Sequence, residues 1–152
     1  EENLLLALDN EDLKFWKNLL GKNKPSKEAK EKVKEALQKV RMEKFENRLA
    51  RELSFGQKRL VELARTMLNP HELLMLDEPV AGVNPALRKE IAKTLKELQK
   101  NGETILLIEH DLNFTLGLSD TAIVLEEGKV IAEGKPKDIR KNKKVLEAYL
   151  GE

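Results

Sequence analysis

Two short apolar runs constrain this chain more than any other feature. Leu73–Asp77 reads LLMLD and Thr104–Glu109 reads TILLIE. Each has the length of a strand, and neither alternates apolar with polar residues. A strand that is apolar on both faces must be covered on both faces, which is the condition of a parallel sheet with helices packed against it. The stretch between them supplies such a helix. Residues 86–100 carry Ile91, Leu95 and Leu98 on one side and end at Asn101-Gly102, a helix stop. A third apolar segment, Thr121–Gly134, divides around Glu127-Gly128 into two strands, the signal of a tight hairpin. Strands separated by helices predict an α/β fold.

The first third of the chain is different. Residues 1–52 contain no strand pattern. Asn3–Asn10 reads as the end of a helix, and Leu13–Leu20 places Leu13, Trp16, Leu19 and Leu20 at helical spacing. Gly21–Pro25 breaks that segment. Ser26 then caps a helix running from Lys27 to about Arg41, with Ala29, Val33, Leu37 and Val40 on one face. Further on, Arg59–Leu68 is helical and is stopped by Asn69-Pro70, and the stretch from Lys137 to Gly151 reads as a closing helix. The organisation is therefore an all-α region, 1–52, followed by an α/β region, 53–152.

Composition narrows the partners. With 40% hydrophobic and 36% charged residues, the 152-residue chain is not a disordered one and can bury a core. A net charge of +1 gives no general attraction for nucleic acid. The absence of cysteine excludes a disulfide framework and thiolate metal sites. No apolar run approaches the ~20 residues needed to cross a bilayer, and no signal peptide is visible. A cytoplasmic location is the expectation.

Three places carry chemistry. The first apolar run delivers Asp77 and Glu78 to its C-terminal end, where ligands bind in open α/β sheets. An Asp there suits Mg²⁺, which takes oxygen ligands, and a neighbouring Glu can orient or deprotonate water. A strand ending in a solvated acidic turn is the plain alternative. In LSFGQ (Leu53–Gln57), Ser54 can cap the following helix and Gly56 lets a ligand approach the backbone. The helix N-terminus supplies unpaired N–H groups to an anion. An ordinary capped helix has the same residues. His110 follows the second apolar run, from which it can reach a bound phosphate. His71, in the turn after Asn69-Pro70, reads as an exposed polar residue.

Taken in order, these segments resemble the nucleotide-binding subunit of ABC transporters. LSFGQ is similar to the ABC signature, in a variant with an aromatic third residue. LLMLDEP resembles the Walker B strand with its catalytic glutamate, AGVNP (Ala81–Pro85) the D-loop, and IEHD the switch-histidine loop. The ending EGKVIAEGKPKDIRKNKKVLEAYLGE is similar to the ATPase subunits of branched-chain amino-acid transporters, and residues 1–52 resemble their helical subdomain. The resemblance implies a partial P-loop NTPase (RecA-like) parallel-sheet core preceded by a helical subdomain. It implies ATP and Mg²⁺ as ligands and a membrane-peripheral ATPase on the inner face of the membrane. It also implies a second ATP-binding subunit and transmembrane permease subunits as partners. Asp77 would hold the metal through its water shell, Glu78 would polarise the attacking water, and His110 would contact the γ-phosphate. Ser54, Gly56 and Gln57 would contact the nucleotide of the opposite subunit, with Asn84 at a D-loop position often held by Asp.

One part is missing. The phosphate-binding loop has the pattern G-x-x-x-x-G-K-[ST], and none of the eight glycines begins it. The first residue is Glu, not Met. The expectation is a C-terminal fragment of a longer ATPase, inactive alone. A short module lending its signature to a complete partner, or an ABC ATPase of non-transport function, are the alternatives. In the resembling proteins the strand feeding the phosphate loop lies between the two that correspond here to Thr104–Glu109 and Thr121–Glu126. Those two are therefore expected not to be hydrogen-bonded neighbours. Leu73–Asp77 is expected to pair in parallel with Thr104–Glu109.

Overall fold

The computed structural model describes residues 1–8 and 26–150. The helix expected at Leu13–Leu20 and its break at Gly21–Pro25 lie outside the described residues. Helix α1 spans Glu2–Leu8 and α2 spans Lys27–Lys39. Ser26 caps α2 by accepting from the Ala29 N–H at 3.0 Å, and Val33, Ala36, Leu37 and Val40 are its buried face. Two 3-10 turns, Glu43–Phe45 and Ala50–Glu52, lead into α3, Phe55–Leu68. Helix α3 starts four residues before its periodic pattern does, because its cap is Ser54.

Strand β1 is Leu74–Asp77, helix α4 is Pro85–Lys100 and strand β2 is Ile105–Ile108. Helix α4 is capped by Asn84, has Pro at its first position, and buries Ile91, Leu95 and Leu98, as their spacing predicts. Strands β1 and β2 are hydrogen-bonded neighbours. Leu74 N–H donates to Thr104 O and Glu78 N–H to Ile108 O, each at 2.9 Å. The partner numbers rise together, so the pair is parallel.

Helix α5, Leu112–Leu118, has no counterpart in the sequence reading. Asp111 caps it by accepting from the Phe114 N–H at 2.9 Å. Strands β3, Ala122–Glu126, and β4, Lys129–Gly134, form an antiparallel hairpin. Glu127 and Gly128 both have positive φ, 47° and 75°, the backbone of a type I′ turn. Val124 faces Ala132 and Leu125 faces Val130, which leaves Ile131 as an extra residue on β4, a bulge. Strands β2 and β3 belong to different sheets, as expected.

The expected closing helix is two helices, α6 at Pro136–Ile139 and α7 at Lys143–Leu150. Asn142 interrupts them: its carboxamide oxygen accepts from the Lys144 N–H at 3.0 Å. A side chain that caps a new helix competes with continuation of the old one.

The contacts divide the chain into two compact units. One comprises Glu1–Leu74 and Val80–Ile105, the other Met75–Pro79 and the chain from Leu106 onward. The boundary read after residue 52 is one of composition and resemblance, whereas this division cuts across β1 and β2. In the first unit, α1, α2 and α3 pack on one another, with Leu4, Val33, Leu37, Leu60, Leu63 and Ala64 buried. In the second, Leu116, Ala122, Val124, Ala132, Ile139 and Val145 form a core.

The expectation of strands covered on both faces is met on one face only. Leu74 and Leu76 are buried, while Met75 is 63% exposed. Leu106 and Ile108 of β2 are exposed, as are Ile123, Leu125 and Val130 of the hairpin. The described residues contain no helix for that second face.

Candidate nucleotide site

The first group of site residues lies in the second unit, at the C-terminal ends of β1 and β2. The buried Leu74 and Leu76 fix the register of β1, and alternation places Asp77 among the exposed residues. Glu78 follows with a φ of +44°. For a non-glycine residue that left-handed backbone costs about 1–3 kcal/mol and persists only where the surroundings enforce it. Here the Glu78 N–H donates to Ile108 O, so the sheet holds the residue while its backbone turns. His110, two residues beyond β2, lies with Nδ1 3.3 Å from Glu78 Oε1. The two catalytic candidates, 32 positions apart in sequence, therefore meet. Both side chains are at least half exposed, open to water and to a ligand. Asp77 presents an exposed carboxylate at the end of β1. Among the described residues no cluster of three or more His, Cys, Asp or Glu side chains could hold a metal unaided.

The second group lies in the first unit. Ser54 Oγ accepts from the Gln57 N–H at 3.3 Å, and Gln57 Oε1 accepts from the Ser54 N–H at 2.9 Å. This reciprocal capping box satisfies two donors at the start of α3. Gln57, expected to reach a nucleotide, thus has a local partner. Asn84 has one too: its side-chain oxygen accepts from the Leu87 N–H at 3.0 Å, capping α4. An Asn serves as well as an Asp in that role.

Sequence reasoning missed the neighbours of this turn. Gly56 is buried. A β-carbon there would overlap Leu87 Cδ2 and stand 3.3 Å from Val83 Cγ1. A methyl group there would have to displace the end of the Leu87 side chain on α4, whatever ligand approaches the backbone. The Phe55 ring is 55% exposed and covers Gly82, whose φ is +67° and whose added β-carbon would lie 3.3 Å from Phe55 Cε1. The Arg59 guanidinium sits 5.3 Å from the centre of that ring.

His71 corrects an expectation. Its side chain is only 18% exposed. Nδ1 lies 2.6 Å from Asn69 O and Nε2 3.0 Å from Glu103 Oε2. The ring joins the turn before β1 to the turn before β2. Glu103 is 32 residues away in sequence, beyond any local pattern.

A parallel pair that ends in Asp-Glu and a histidine, with helix α4 between the strands, matches part of a P-loop nucleotide hydrolase core. The chain belongs to the ABC transporter family, whose profile matches residues 3–81, just over half of it. Residues 129–152 match the profile of the branched-chain amino acid ATP-binding cassette transporter. The chain is 40% identical over 157 aligned residues to the high-affinity branched-chain amino acid transport ATP-binding protein LivG of Salmonella typhimurium, covering 99% of this chain and 61% of that protein. It is 39% identical over 151 residues to a probable LivG of Archaeoglobus fulgidus, covering 99% of this chain and 59% of that protein. Among solved structures, MJ1267, an ATP-binding cassette of an ABC transporter, superposes with a TM-score of 0.80 at 35% identity, over 97% of this chain and 61% of that one. The chain thus spans about three fifths of the length of these relatives.

Proposed function

We propose that these residues form part of the ATP-hydrolysing subunit of an ABC importer for branched-chain or related amino acids. The observation that carries the hydrolase reading is the contact between Glu78 and His110 at the carboxyl ends of a parallel strand pair. The match of residues 129–152 to the branched-chain transporter profile favours the substrate class.

The chemistry follows from the positions of the side chains. Mg²⁺ would neutralise charge on the phosphates, and Asp77 would hold it through its water shell. Glu78 accepts a proton from a water as that water's oxygen bonds to the γ-phosphorus. The bond from the γ-phosphorus to the bridging oxygen breaks, and the electron pair leaves with ADP. His110, within hydrogen-bond reach of Glu78, orients that carboxylate and the γ-phosphate together. The capped N-terminus of α3, with Ser54, Gly56 and Gln57, is the anion-facing element offered to the nucleotide of a second ATP-binding subunit. Asn84 stands beside it. Since none of the eight glycines begins the phosphate-loop pattern, the β- and γ-phosphates are cradled by residues other than these. Transmembrane permease subunits would couple closure of the two ATP-binding subunits to transport, at the inner face of the membrane.

Uptake of labelled leucine, isoleucine and valine tests this reading. Cells whose only copy carries Glu78→Gln in the encoded protein should lose uptake of at least one of the three. Undiminished uptake of all three would overturn the substrate assignment.

A further inference from the structure

The turn at Ser54–Gln57 and the turn at Gly82–Asn84 each lack a side chain where the other supplies one. At Gly56 the missing β-carbon leaves room for the Leu87 δ-methyl group and Val83. At Gly82 the missing β-carbon leaves room for the Phe55 ring, which lies against it with the closest carbon 3.3 Å from that position. The contacts run in opposite directions between the same two turns. Asn84 ties Leu87 into the arrangement, because its side chain accepts from the Leu87 N–H. Val83 is buried and Leu87 half-buried, so the fit is interior on one side and open on the other.

Two complementary fits of this kind resist sliding and rotation together. A single contact permits rotation about itself, whereas two in opposite senses do not. We propose that the Ser54–Gln57 and Gly82–Asn84 turns move as one rigid body, fixed by Leu87 against Gly56 and by Phe55 against Gly82. Leu87 is then a positioning residue: it touches no nucleotide and sets where Ser54 and the α3 N-terminus stand relative to Asn84. The catalytic part of this inference rests on the ATPase reading above, while the packing part does not.

A double-mutant cycle in the protein at its encoded length separates the two. Gly56→Ala adds a methyl group where the Leu87 δ-methyl lies, and Leu87→Ala removes that obstruction. Gly56→Ala should lower the thermal midpoint by several degrees and lower kcat for ATP about tenfold, as expected when overpacking distorts a site, with KM changed less than about twofold. Adding Leu87→Ala should recover most of both losses, which two independent defects would not do. If the double variant is as impaired as the product of the singles in both readouts, the rigid-body inference is overturned. If the midpoint recovers and kcat does not, the lost turnover comes from the methyl group at position 56 itself and the positioning role of Leu87 is overturned. A wild-type protein that hydrolyses no ATP would sink the transport reading, and the thermal cycle would still decide whether the turns are interlocked.

Discussion

Two residues with left-handed backbones differ in what holds them. Glu78 has φ +44° and points a carboxylate at His110. Replacing it with Gln keeps the shape and removes the basic oxygen. In the encoded protein Glu78→Gln should retain ATP binding and lose turnover by ~10²–10⁴-fold, the usual contribution of a general base. Wild-type turnover in that variant would remove Glu78 from the role. Arg41 has φ +58° and ends α2. Its N–H donates to Gln38 O and the Met42 N–H to Leu37 O, the Schellman pattern. Helix α4 ends the same way with Gly102 in the equivalent place. The Arg41 guanidinium pairs with Glu90 and Glu97 of α4, a gain that glycine would forgo. Exposed pairs contribute about 0–1 kcal/mol and a left-handed non-glycine costs about 1–2 kcal/mol. Urea unfolding should therefore find Arg41→Gly within about 1 kcal/mol of wild type and more stable than Arg41→Ala.

At the scale of elements, α3 gives a cleaner separation of fold from chemistry. Its cap is a hydrogen bond that Asp makes as well as Ser. Ser54→Asp should leave stability within about 0.5 kcal/mol while placing a carboxylate where a nucleotide phosphate is expected. Turnover should fall by more than about tenfold. Equal turnover in the variant would mean that no anion approaches this helix start. The elements that were legible in sequence share a reason: their ends are written locally. Ser26 and Ser54 start helices, Asn69-Pro70 and Gly102 stop them, and Glu127-Gly128 turns the hairpin. Helix α5 escaped because it is seven residues long and contains Gly117, too short for a period to show. The break at Asn142 escaped because it depends on one side-chain bond. Of the site, Asp77, Glu78, His110 and the capped turn were visible as motifs. The Glu78–His110 contact, the His71–Glu103 contact and the fit of Leu87 against Gly56 were not. Each joins residues far apart in sequence, and no local pattern encodes such a distance.

For the molecule as a whole, the outward face of the strands is the dominant physical fact. Met75, Leu106, Ile108, Ile123, Leu125 and Val130 are all exposed, and alternating strand geometry puts such side chains on a face that none of the described residues covers. The 152-residue chain by itself should self-associate at micromolar concentration in sedimentation velocity. Met75→Gln with Ile108→Lys should reduce that association without unfolding the chain, since neither side chain is buried. A monodisperse wild-type monomer would show that the face is tolerated as it stands. The two strand pairs also differ in how far the chain must travel to close them. Strands β3 and β4 are joined by Glu127 and Gly128 alone, and a hairpin of that kind forms in about 1–10 μs. Strand β1 can meet β2 only after all of α4 has been enclosed between them, which carries a larger loop-closure entropy. Time therefore enters the architecture: on loop-closure grounds the hairpin should form ahead of the strand pair whose end bears Asp77 and Glu78.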